Sequence, residues 1–169
     1  YTHKAIGYNK NPEYYRVQAK QYLQLTRNES IKEAPNTQDI IVYLGKALEM
    51  AKKSTEFGKH DIKNWEMLAT IYLNSRPVVS EGANDWVIAS LQKASELEPS
   101  NPFYYWRLAD AYLYEENSGG AQKAYREAIR LKPDYIRAYI DYSEYFARNE
   151  EFEKAVYVFE PIFENIQDN

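Results

Sequence analysis

Apolar and small residues recur along this chain at helical rather than strand spacing. Tyr105, Leu108, Ala109 and Tyr112 stand at i, i+3, i+4 and i+7, and so share one face of a helix. Ala121, Tyr125 and Ala128 form a second set, closed by Pro133, with Gly119-Gly120 read as the tight turn between the two helices. One repeat length on, about 34 residues, Tyr139, Tyr142, Ser143, Phe146, Ala155, Phe159 and Ile162 keep the register, with Gln167 where the proline stood. A last helix over 152–166 is expected. Pro161 lies inside it, where a missing N–H should bend or loosen the end.

The pattern also runs backwards. Asn11-Pro12-Glu13-Tyr14-Tyr15, with Ala19, Tyr22 and Leu23, echoes Asn101-Pro102-Phe103-Tyr104-Tyr105, with Ala109, Tyr112 and Leu113. Between these copies, Trp65, Leu68, Ala69 and Tyr72 open another helix pair, whose second helix carries Val87, Leu91, Ala94 and Pro99 after a longer loop. That loop contains Arg76-Pro77 and Ser80-Glu81-Gly82, both helix breakers. In the first pair, Ile40, Leu44 and Ala47 fit a second helix after Pro35-Asn36-Thr37, running towards Phe57 with Gly58 as its stop. Ala5 to Asn9 reads as the tail of an earlier helix.

Small residues at Ala109, Ala121 and Ala128 let antiparallel helices approach closely, and rings between them fill the remaining space. The order large, apolar, small, aromatic, then small, aromatic, small, proline resembles the tetratricopeptide repeat (TPR) family. The resemblance is tight over 102–169 and looser over 12–101, where the loops are longer. It implies an all-α, right-handed α-α superhelical solenoid whose first helices line a concave groove. The whole chain, 1–169, then reads as a single domain: 1–11 the end of a preceding repeat or a linker, then repeats at 12–61, 62–101, 102–135 and 136–169.

Composition adjusts this picture in three ways. Of 169 residues, 17 are tyrosine, and rings of that kind suit helix packing with one edge wet. A net charge of -4 and a pI near 5.3 argue against nucleic acid, which needs a clustered basic surface. With no cysteine, disulfides, thiolate metal sites and cysteine nucleophiles are excluded. The longest apolar runs, such as Ile40 to Leu44, are far short of the roughly 20 residues that span a bilayer, so this segment inserts in no membrane by itself. The chain opens on Tyr1 without an initiator methionine or signal pattern and reads as part of a longer protein.

If the family geometry holds, Tyr105, Leu108 and Tyr112 face the neighbouring helix. The groove side is then left to Phe103, Trp106, Asp110 and Tyr114 in the third repeat. The same reasoning selects Arg16 and Lys20 in the first repeat, Lys63, Glu66 and Thr70 in the second, and Arg137, Ile140 and Glu144 in the last. The expected groove is mixed in charge with an aromatic patch at Trp106. On this reading Trp106→Ala should abolish partner binding at little cost in stability. Trp65 and Trp86 are assigned to packing.

Catalytic chemistry finds no anchor. The two histidines, His3 and His60, allow no local triad or zinc helix. Glu115-Glu116 and Glu150-Glu151 with Glu153 are read as charges at helix ends. Asn28-Glu29-Ser30 is a formal glycosylation sequon. No catalytic residue, metal ligand or cofactor is expected.

The function implied is that of a protein-interaction scaffold taking a peptide or protein segment in its groove. Some TPR proteins grip a C-terminal carboxylate with a clamp of Lys, Asn and Arg spread over three repeats. The matching positions here are Arg16, Lys20, Met67, Phe103 and Arg107, which lack the Asn and one Lys, so that clamp is not expected. Two alternatives stand beside the scaffold. The stretch Gly82-Ala83, Trp86, Ala89 and Ala94, followed by Pro99-Ser100-Asn101-Pro102, resembles the TPR tails of bacterial O-antigen ligase-like membrane proteins. Val156, Phe159 and Phe163 on the last helix would be exposed unless a capping helix or another copy covers them, which leaves self-association as a further reading.

Overall fold

The computed structural model describes residues 10–78 and 82–162. The expected helix tail at 5–9, His3, Ser80-Glu81 and the last helix beyond 162, with Phe163 and Gln167, lie outside them. Among the described residues there are eight helices and no strand: α1 Pro12–Ser30, α2 Thr37–Phe57, α3 Ile62–Ser75, α4 Ala83–Leu97, α5 Pro102–Tyr114, α6 Ser118–Leu131, α7 Ile136–Arg148 and α8 Phe152–Tyr157. The all-α expectation holds. None of these helices is long and apolar enough to cross a membrane.

Helix starts follow local chemistry. Asn11 and Asn101 precede Pro12 and Pro102 at the first helical positions, and each amide oxygen accepts from the backbone two residues on, at 2.9 and 3.1 Å. Asn36 and Asp61 cap α2 and α3 in the same way. A proline in the first turn loses no helical bond, and the cap satisfies one of the free N–H groups.

Contacts divide the chain into two compact units, Tyr1–Ser90 and Leu91–Asn169. In the first, α1 and α3 both pack on α2. Ala19, Ala47 and Ala51 are fully buried, with Tyr15, Leu23, Leu44, Leu68, Ile71 and Tyr72 filling the space around them. Gly58 follows α2 at φ -137°, so left-handed backbone is not why glycine stands there. A Cβ at this point would lie 2.5 Å from Asn64 and 2.7 Å from Pro12. Close packing of α1 and α3 requires the glycine. Trp86 stacks on Tyr72 at 5.7 Å, with the Lys52 ammonium 5.6 Å from its ring centre, and remains half exposed.

In the second unit, α5 packs on α6 and α7 on α8, with α6 touching α7. Tyr104, Tyr125 and Tyr139 are fully buried, and Tyr125 stacks on Tyr142 at 5.1 Å. The expectation that Tyr105 faces inward is off by one position. Tyr104 takes the core, while Tyr105 is half-buried and donates its hydroxyl to the Pro99 carbonyl.

The helical turns at Glu116 and Glu150 have one design. Both residues adopt positive φ, 56° and 61°. Glu116 N–H and Asn117 N–H donate to Leu113 and Tyr112 carbonyls, and Glu150 N–H and Glu151 N–H donate to Ala147 and Phe146. These are Schellman closures with glutamate where glycine is favoured. The expected turn at Gly119-Gly120 is corrected accordingly: both glycines are in the first turn of α6, and the chain reverses at Glu115–Asn117.

The last helix breaks early. α8 ends at Tyr157, and Phe159 N–H bonds Val156 rather than the residue four back. Pro161 cannot donate to the Tyr157 carbonyl, and its ring crowds that oxygen, so the regular ladder stops there.

Candidate functional site

The groove residues expected in the first unit are spread along its surface. Arg16 is committed internally: its guanidinium donates to Asp61 and, at 3.0 Å, to the buried Asn64, which in turn donates to the Gly58 carbonyl. It ties α1 to the start of α3. Lys20 and Lys63 are exposed, and Thr70 donates its hydroxyl to the Glu66 carbonyl one turn back.

In the second unit the helical period brings the remaining residues together. Trp106, Asp110 and Leu113 share a face of α5, and Arg137, Asp141, Glu144, Tyr145 and Arg148 share the facing side of α7. Between them lies an open cleft of about 490 Å³, with Tyr125 of α6 at its base. Asp110, Arg137 and Glu144 line it, Phe103 and Tyr114 are exposed at the two ends of α5, and Ile140 is exposed on α7.

Trp106 is a joint between α5 and α7. Its indole N–H donates to Asp141 at 2.8 Å, and Phe103 and Tyr135 pack against the ring at 5.7 and 6.1 Å. The Arg107 and Arg137 guanidinium groups lie over it at 5.4 and 5.6 Å. Arg137 also donates to the same Asp141 oxygen at 2.9 Å. Asp141 is thus well satisfied by two short bonds.

Asp110 is not. Its nearest donors are the Tyr125 hydroxyl at 3.4 Å and Arg107 at 3.6 Å, both long for a bond to an ionised carboxylate. Burial pushes its pKa above the ordinary aspartate value, and nearby Asp141 adds to this, against lowering by Arg107, Tyr125 and Arg137. The Tyr125 hydroxyl is raised well above its usual range, first by burial and then by Asp110 and Asp141. Glu144 pairs with Arg148 at 3.1 Å.

Asp141, Tyr145 and Arg148 were missed in the sequence as site residues. Their signal was the i, i+4 spacing from Arg137 and Glu144, which places all five on one side of α7. Among the described residues no group of three acidic or histidine side chains is placed to hold a metal ion.

No family model matches the chain. A curated relative is the tetratricopeptide repeat and J domain-containing co-chaperone DNJ1 of Cryptococcus neoformans, 26% identical over 89 residues. That match covers 53% of this chain and 17% of the relative, so the chain spans about a sixth of that protein's length. Among solved structures, MamA superposes with a TM-score of 0.67 at 20% identity, over 94% of this chain and 80% of that one. TTC0263, a thermophilic TPR protein of Thermus thermophilus, gives 0.62 at 22% identity, over 80% and 63%. At these identities the structural likeness carries the fold, which is that of tetratricopeptide repeats.

Proposed function

We propose that this chain, whose fold is that of the tetratricopeptide repeat proteins, is a protein-interaction scaffold that takes a peptide segment in the α5/α7 cleft of its second unit. The observation that carries the reading is the cleft itself. Its polar walls are fixed before any partner arrives, because Trp106 holds Asp141 across the two helices and Arg137, one turn earlier on α7, holds the same Asp141 oxygen. A wall ordered in advance lowers the entropy cost of binding. Exposed Phe103 and Tyr114 extend the surface with the large rings favoured at binding hot spots. The role is non-catalytic.

Selection of a random peptide display library on the full chain tests this. Binders should be lost on Leu113→Trp, which fills the cleft from its α5 wall, while the melting temperature is retained. Selection that yields no binder sensitive to this filling sinks the proposal.

Self-association is a second reading, favoured by Phe152, Val156 and Tyr157, which are 64, 72 and 70% exposed on α8. Light scattering over a wide concentration range should then show a dimer that Val156→Glu dissolves. A persistent monomer removes it.

A further inference from the structure

We infer that the α5/α7 cleft selects a basic side chain, lysine or arginine, from the segment it binds, and that Asp110 is the counter-ion. This rests on the reading of the cleft as a peptide site and names what that site prefers. The charge of the lining is the first observation. Asp110, Glu116, Asp141 and Glu144 face the cleft against only Arg137 and Arg148, four carboxylates to two guanidinium groups. Both arginines are already taken, Arg137 by Asp141 and Arg148 by Glu144. No lining arginine is left for Asp110 or Glu116, and the guanidinium nearest Asp110, that of Arg107, stands outside the lining at 3.6 Å.

The second observation separates two aspartates that look alike in sequence. Asp141 keeps 15% of its side chain exposed and holds two donors within 2.9 Å. Asp110 keeps 39% of its side chain exposed and, among the described residues, has no donor closer than 3.4 Å. A carboxylate drawn partly out of water without short donors is left under-satisfied, and an incoming ammonium or guanidinium group supplies charge-assisted bonds of about 2.7–2.9 Å. The cation also offsets the repulsion between Asp110 and Asp141.

The walls suit the stem of such a side chain. Leu113, Tyr125 and Tyr145 line the same cleft, so the methylenes of lysine or arginine can lie against apolar surface while the charged head reaches Asp110. An acidic anchor would meet the carboxylate excess. An apolar anchor would displace water from Asp110 and give it nothing in return.

The test uses the full chain and the display library described above. Enriched sequences that need an open cleft should share a lysine or arginine. Replacing that residue by norleucine in a synthetic peptide should weaken binding about tenfold or more, as loss of one partner of a desolvated charge pair does. Asp110→Asn should weaken the basic peptide comparably yet leave the norleucine peptide unchanged, and Asp110→Glu should restore part of the preference. Cleft-dependent binders with no basic residue, or a norleucine peptide that binds equally well, overturn the inference while leaving the scaffold reading intact. Absence of any cleft-dependent binder overturns both.

Discussion

Trp106→Ala should cost far more stability than its place on an expected groove implies. A fully buried tryptophan truncated to alanine costs about 3–5 kcal/mol, and the half-buried Trp106 scales this to about 2 kcal/mol. The indole N–H bond to the Asp141 carboxylate, 2.8 Å long, adds about 1 kcal/mol, the low end for charged partners, because Arg137 still serves that oxygen. The loss is then about 3 kcal/mol. In a chain of 169 residues each kcal/mol moves Tm by about 2–4 °C, so Trp106→Ala should lower it by roughly 6–12 °C. Trp106→Phe keeps most of the ring and loses only the bond, for a drop of about 2–4 °C. Scanning calorimetry measures both, and a double-mutant cycle with Asp141→Asn isolates the bond. An alanine variant within about 2 °C of the parent would refute the packing argument and return Trp106 to a free, partner-facing ring.

Asp110→Asn should lose basic-peptide binding without lowering Tm at neutral pH. The folded-state pKa of Asp110 is raised, chiefly by burial, so its ionised form is disfavoured by folding and its removal costs nothing there. By the same sign, affinity of the parent for a basic peptide should fall as pH drops through a value above the ordinary aspartate range, as fluorescence anisotropy would show. Gly58→Ala should destabilise by about 1–3 kcal/mol in urea unfolding, since the added methyl meets Asn64 and Pro12. Glu116→Gly should stabilise by about 1 kcal/mol, as positive φ strains every residue with a Cβ; no gain in the urea midpoint would count against a strained turn. The buried Tyr139 hydroxyl has no hydrogen-bond partner among the described residues, so Tyr139→Phe should leave Tm unchanged or higher.

Helix identity and boundaries were legible because they depend on neighbours in the chain. Pro12 and Pro102 after their asparagine caps, the 3.6-residue period of Leu108, Ala109 and Tyr112, and the break imposed by Pro161 are all local physics. The Gly119-Gly120 turn misled because glycine marks freedom without locating the reversal, which the chain placed at Glu116, three residues before Gly119. Tyr104 and Tyr105 have the same chemistry in adjacent positions, so only the packing partner could decide which ring is buried.

The site divides along the same line. The sequence determined that Asp110 and Trp106 share a face of α5, and that Arg137 and Glu144 share one of α7, because those relations lie within single helices. Only the tertiary structure decided that α7 sets Asp141 against the Trp106 indole and leaves Asp110 without a short donor. Arg16, an apparently free groove cation, was claimed by Asp61 and Asn64 from a helix 45 residues away. Charge and type are properties of a residue. Whether that charge is spent or available depends on what a second helix brings within three ångströms or so, and spacing along one chain segment does not carry that distance.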